Sequence, residues 1–204
     1  MVRGFAAISC VPMLVWAATA AAWDRDAVQL RATAGISAKA SPHQYSTAGR
    51  LANTPHTAGV GASLRVYKVI SASASVDYTW LAGDLAPMAW APEQFPRVHS
   101  SNMTTALLGL EAGSPTPDRQ GPFVSGGIGV GRLYVGAIRV SDLSGGSVDY
   151  PASREWGPAF EVGAGIRTPR WLGGPSFQLS LRNVSMRQGN RWVGITPLTV
   201  GVAF

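Results

Sequence analysis

Apolar and polar residues alternate one for one along this chain in eight separate stretches. The first, 27–38, sets Val28, Leu30, Ala32, Ala34 and Ile36 against Gln29, Arg31, Thr33, Gly35 and Ser37. The second, 58–67, sets Val60, Ala62, Leu64 and Val66 against Gly61, Ser63 and Arg65, and the third, 71–81, sets Ala74, Val76, Tyr78 and Trp80 against Ser73, Ser75, Asp77 and Thr79. The fourth, 102–112, opposes Ala106, Leu108 and Leu110 to Thr105, Gly109 and Glu111. The fifth, 122–136, opposes Val124, Ile128 and Val130 to Ser125 and a run of glycines, until Arg132 and Leu133 break the phase. The sixth, 157–167, places Phe160, Val162, Ala164 and Ile166 opposite Glu161, Gly163, Gly165 and Arg167. The seventh, 176–186, places Phe177, Leu179 and Leu181 opposite Gln178, Ser180 and Arg182, and the eighth is 191–204. A period of two is the mark of a strand whose two faces meet different surroundings. No stretch carries a helical period, and nothing repeats beyond the hairpins, so the expected fold class is all-β.

The eighth stretch decides which kind of all-β fold. Trp192, Gly194, Thr196, Leu198, Val200, Val202 and Phe204 form one face, apolar with an aromatic at each end; the other face is small. In a membrane, lipid is the solvent for such a face and aromatics mark its two interfaces. The ending V-G-V-A-F resembles the C-terminal signal of bacterial outer-membrane β-barrel proteins. With P-F-V-S-G-G-I-G-V-G and F-E-V-G-A-G-I-R, the whole mature chain resembles the OmpA/OmpX-like and opacity-type barrels. The resemblance implies an eight-stranded antiparallel transmembrane β-barrel in the bacterial outer membrane, reached through the periplasm. It implies outer-membrane lipid and lipopolysaccharide as surroundings, and Phe204, Val202 and Val200 as the signal read by the barrel-assembly machinery. A monomer is expected.

Connection lengths fit that topology. Long polar or Pro-rich segments at 41–57, 82–101 and 137–156 alternate with short turns at 68–69, 113–121 and 168–175. Outer-membrane barrels have long external loops and short periplasmic turns, so both ends of an even-stranded barrel face the periplasm. The connection near Gln188, Gly189 and Asn190 is the short exception among the external ones.

The start of the chain reads as a targeting segment. Arg3 precedes an apolar run that closes in W-A-A-T-A-A-A, with small-residue cleavage positions after Ala20 and after Ala22. The expected organisation is a signal peptide at 1–22 and one barrel domain at 23–204. Cleavage would remove Cys10, the one cysteine, and leave no thiol for a disulfide, a metal or a nucleophile. Losing Arg3 lowers the formal charge from +6 to +5. The basic residues stand singly rather than in runs, which argues against a nucleic-acid partner.

An eight-stranded barrel has an interior that side chains just fill. On the polar faces lie Arg31, Arg65, Arg167 and Arg182 against Asp77, Glu111 and Glu161. Charges in so narrow a space are costly unless paired, so they are expected to form an ion-pair network, with Glu161 on Arg182 and Asp77 on Arg65 across a hairpin. The glycine run 126–131 is expected to leave room for the long arginines.

One constellation offers chemistry. His99 and Ser101 stand two apart, on one face of a strand, where a base could serve a nucleophile. The order H-x-S-N is similar to that of the outer-membrane lipid A deacylases. The next carboxylate, Glu111, is ten residues on, about 33 Å along an extended strand, too far to orient His99. His43, His56 and His99 match no metal-ligand spacing; neither metal nor cofactor is expected. Tyr45, Leu85, Met88, Trp90, Phe95, Leu143 and Tyr150 place apolar groups on the long connections, where they could bind a partner or pack on one another. The expected function is a non-enzymatic structural or surface-binding role through the external loops. The alternatives are a hydrolase using His99 and Ser101, or a narrow small-solute channel.

Overall fold

The computed structural model describes residues 28–39, 55–81, 97–98, 101–114, 116, 119–141, 146–171 and 174–204. The described strands are β1 (Val28–Lys39), β2 (His56–Tyr67), β3 (Ile70–Leu81), β4 (Arg97–Val98), β5 (Ser101–Gly113), β6 (Gly121–Val135), β7 (Ile138–Ser141), β8 (Ser147–Tyr150), β9 (Ser153–Arg167), β10 (Ser176–Gln188) and β11 (Arg191–Ala203). Eight of them close into an antiparallel barrel in the order β1-β11-β10-β9-β6-β5-β3-β2. β4, β7 and β8 form a separate three-stranded sheet at the long-connection end. That small sheet lies in segments expected to be loops, and β9 begins at Ser153, four residues before the sixth alternating stretch.

Parity sorts the side chains as a strand's geometry demands. Outward stand Leu30, Val60, Leu108, Val124, Ile128, Val162, Ile166, Leu181 and Val200, all more than half exposed. Large aromatics flank this apolar belt: Tyr78, Trp80, Trp156, Phe160 and Trp192 at one end, Tyr67, Trp171, Phe177 and Phe204 at the other. Phe160 and Trp192 meet edge to face with centroids 5.2 Å apart. Inward stand hydroxyls and charges that are nearly all buried, among them Ser37, Thr79, Thr105, Thr199, Asp77 and Arg182. The barrel is thus turned inside out relative to one that lives in water.

The interior is not polar throughout. Towards the long-connection end it is packed with Met103, Leu107, Leu133, Ala159, Val184, Met186 and Ile195. Leu133 belongs to this cluster, and the ladder runs unbroken through Thr104↔Arg132 and Met103↔Leu133. The expected phase break at Arg132 and Leu133 therefore does not occur; the alternation continues, but the surroundings of the inward face change from polar to apolar. The glycine run is likewise put to a different use. A Cβ on Gly131 would lie 2.6 Å from the sulfur of Met186, so this glycine admits a methionine, not an arginine.

Met186 is fully buried at the centre of the apolar packing. Met186→Ala should cost about 2–5 kcal/mol, because the surrounding strands cannot collapse into the space it leaves. Urea unfolding in lipid vesicles measures this; an unchanged midpoint would show the upper interior to be loosely filled.

Candidate functional site

The charged groups of the interior come from six strands, each turned inward by parity: Arg31 on β1, Arg65 on β2, Asp77 on β3, Glu111 on β5, Glu161 and Arg167 on β9, Arg182 on β10. They fall into two groups at different depths. At mid-barrel Arg182 makes a two-pronged bond to Asp77, Nη1 to Oδ2 at 3.0 Å and Nη2 to Oδ1 at 2.8 Å. Its Nη1 also donates to Oε2 of Glu161 at 3.2 Å. Nearer the short-turn end, Glu111 accepts from Arg31 at 3.3 Å and from Arg167 at 3.0 Å. Arg167 also donates to Oε1 of Gln178 at 3.3 Å and lies 4.7 Å from the ring centroid of Phe123.

These pairs span the barrel. β10 and β3 are four places apart in a ring of eight, so the Arg182–Asp77 bond crosses the full diameter. Arg31 and Glu111 sit on strands three places apart, Arg167 and Glu111 on strands two apart. The arginine stems need space to cross, and glycines supply it: a Cβ on Gly163 would lie 2.9 Å from Cγ of Arg182. Hydroxyl pairs occupy the remaining inward positions. Ser37 meets Thr57 at 2.7 Å, Thr57 meets Thr79 at 3.0 Å, and Ser180 meets Thr199 at 2.7 Å.

Asp77 does not meet Arg65. Arg65 lies across from Ser71, six residues along β3 from Asp77, or about 20 Å at the rise of a strand. Its Nη2 donates instead to the carbonyl of Thr116 at 2.8 Å, in the turn between β5 and β6. That turn supplies a group that alternation had no means of identifying. Arg119 folds back into the barrel mouth and donates to Oγ of Ser63 at 2.7 Å. It has a left-handed backbone, φ 52°, as does the following Gly121 at 103°. Burial, and then the neighbouring Arg65, lower the Arg119 guanidinium to about 10, so it still carries its charge at neutral pH. The cleft walled by Arg65, Ser71, Glu111, Arg119 and Arg167 has a volume of about 10 Å³, room for no more than one water.

The other candidate chemistry is less complete. His99 lies outside the described residues. Ser101 opens β5, half-buried, across from Val135. Glu111 is at the far end of the same strand, engaged by two arginines. His43 lies outside the described residues and His56 is exposed on β2. Among the described residues no three His, Cys, Asp or Glu side chains gather to hold a metal. Tyr45, Leu85, Met88, Trp90, Phe95 and Leu143 lie outside the described residues, and Tyr150 closes β8. Phe204 faces outward, as does Val200, and its backbone exchanges two bonds with Leu30, at 2.9 and 3.1 Å, across the seam that closes the barrel.

The described strands close into an eight-stranded antiparallel barrel with an apolar exterior and an interior filled in part by polar and in part by apolar side chains. No family model matches the sequence, and no curated protein matches it. Among solved structures, the chain is similar to Ail of Yersinia pestis, crystallised with the heparin analogue sucrose octasulfate. The two share 12% identity over 87% of this chain and 96% of that one, with a TM-score of 0.44. It is similar to Neisserial surface protein A at 14% identity over 86% and 94%, TM-score 0.46. It is also similar to the N-terminal barrel domain of Pseudomonas aeruginosa OprF at 12% identity over 86% and 97%, TM-score 0.44.

Removing Arg182 would leave Asp77 and Glu161 buried without their cation. Arg182→Met should therefore cost about 3–5 kcal/mol, and adding Asp77→Asn should recover part of that loss. Asp77→Asn alone should cost more than Glu161→Gln, since it breaks two charged bonds rather than one. A double-mutant cycle on unfolding in detergent micelles reads the coupling; strictly additive losses at 77 and 182 would show that the pair contributes nothing as a pair.

Proposed function

We propose that the chain is a bacterial outer-membrane barrel with a sealed interior, working as a structural envelope protein or through a surface formed by its external connections. The observation that carries this is the inversion of the barrel: apolar side chains outward between two aromatic girdles, charges and hydroxyls inward. From Trp156 to Ile166 the outward face of β9 runs ten residues, about 25 Å of height for a strand tilted by about 40°, which matches the apolar band of an outer-membrane barrel. The long connections lie at the end of Trp80, Trp156 and Trp192; in this reading that end lies outside the cell and the short turns in the periplasm, as in outer-membrane barrels generally.

In this reading residues 1–22 are a signal peptide removed on export, and 23–204 form the mature barrel. Phe204, Val202 and Val200 are the signal for the assembly machinery. Closure leaves the barrel itself no free strand edge, which favours a monomer. The interior does not favour a channel: apolar side chains fill it above, and crossing ion pairs fill it below. Nor does Glu111 favour a hydrolase, because it is held by Arg31 and Arg167 at the opposite end of β5 from Ser101. Arg31, Arg65, Asp77, Glu111, Glu161, Arg167 and Arg182 are read as a structural network.

The protein should fractionate with the outer membrane and run as a folded, heat-modifiable band; recovery in the soluble fraction would end the reading. Planar bilayers containing it should show no stepwise conductance, and regular openings would restore the channel. Leu179→Arg places a charge in the lipid belt and should cost about 2–4 kcal/mol if it sits near the midplane. Ser180→Thr, one residue on and inward, should be mild. Equal effects at 179 and 180 in vesicle unfolding would remove the facing assigned to β10.

A further inference from the structure

The outward face of the barrel is not uniform at its long-connection end. Two cross-strand rows there break the apolar pattern, Thr104–Arg132–Trp156 and Asn102–Tyr134–Arg154, each running over β5, β6 and β9. On the next strand, β10, stands Arg187, exposed and across from Trp192 of β11. Arg132 lies 6.0 Å from the Trp156 ring centroid and Arg154 lies 5.6 Å from that of Tyr134. No carboxylate among the described residues pairs with any of the three arginines. Glu155, between Arg154 and Trp156, has the opposite parity and stands across from the buried Leu133.

Charged groups that point outward are costly in hydrocarbon, and they are tolerated where their heads reach the polar interface. Among the described residues the outward arginines at this end lie in one sector; the Asn102 row continues over Trp80 of β3 and the exposed His56 of β2 to Ile36 of β1. A general interfacial belt would spread its basic residues around the barrel.

We propose that this sector, from β5 to β10, binds the phosphorylated sugar headgroup of an outer-leaflet glycolipid. This deepens the membrane reading above and rests on it. Arg132, Arg154 and Arg187 lie on three adjacent strands, their backbones within about 15 Å of one another by the register, and a guanidinium takes a phosphate with two parallel bonds. Trp156 and Tyr134 offer flat faces to a sugar ring and hold two of the guanidinium groups in place by cation–π attraction. A simple phosphoglycerol headgroup would answer the arginines but not the aromatic faces.

The test uses the full barrel purified in detergent. It is titrated with diphosphorylated lipid A, with the same lipid stripped of phosphate, and with phosphatidylglycerol, following tryptophan fluorescence and the melting of the folded band. The diphosphorylated glycolipid should bind and raise the melting temperature. Its dephosphorylated form, and phosphatidylglycerol at equal charge, should bind at least tenfold more weakly. The variant R132Q/R154Q/R187Q should lose tenfold or more, and R132K/R154K/R187K part of that. Equal binding of phosphatidylglycerol would reduce the sector to a general anionic interface, and equal binding of the stripped lipid, or by the glutamine variant, would overturn the site. If the triple variant fails to give a folded band, Arg154→Gln alone, at an exposed position, carries the comparison, and unchanged binding there counts against the site. A wild-type barrel that folds in membranes but ignores the glycolipid sinks this inference and leaves the membrane reading standing. A chain that never enters membranes sinks both.

Discussion

Closure of the backbone ladder is the constraint from which the rest of this structure follows. In hydrocarbon no water is present to satisfy an N–H or a C=O, so a spanning sheet must pair every strand on both sides. β1 and β11 meet that demand from Arg31↔Ala203 to Lys39↔Ile195, and Leu30 and Phe204 extend the seam by one exchange of bonds. Closing with eight strands fixes the width of the interior, and that width leaves space for side chains but not for bulk water. Each inward residue must then find its partners among other inward residues.

Two solutions to that demand are stacked in one tube. Towards the long-connection end, Met103, Leu107, Leu133, Val184, Met186 and Ile195 exclude polar groups and pack as an ordinary core. Below them Arg182 spans the diameter to Asp77 and takes Glu161 as well, while Glu111 gathers Arg31 and Arg167. One cation faces two carboxylates in the first group and one carboxylate faces two cations in the second, so the imbalances oppose each other. Bonds between distant strands fix the cross-section of the barrel in a way that neighbour-to-neighbour bonds within the sheet do not.

Much of this is written in the sequence, because period two is a strong signal when one side meets lipid. Most of the inward set from Gln29 to Ala203 follows from alternation alone, and so does the number of barrel strands. What alternation omits is who meets whom across the tube. Hairpin neighbours are the natural guess, and Glu161 with Arg182 satisfies it because β9 and β10 are adjacent. Asp77 with Arg65 does not, because those residues lie at different heights and a diametric partner at Arg182 was available. The same limit hid the apolar interior: Leu133 looked like a phase error only while the inside was assumed to be polar throughout. Arg119 was beyond reach for another reason. It enters the mouth from a Pro-rich turn through a left-handed backbone, and no periodicity describes a turn.

Among the described residues the interior is taken up by apolar side chains towards the long connections and by crossing ion pairs below them, which leaves the wall as the surface free to vary. The wall itself is largely featureless, as a surface dissolved in lipid should be. Its exceptions therefore carry information in proportion to their cost. Arg132, Arg154 and Arg187 hold charges on a face where hydrocarbon would penalise them, within one sector, and two of them lie over aromatic rings. Strand closure does not require them, and the interior does not touch them. A polar partner lying against the wall at that height accounts for their presence, and the outer leaflet is where such a partner would lie.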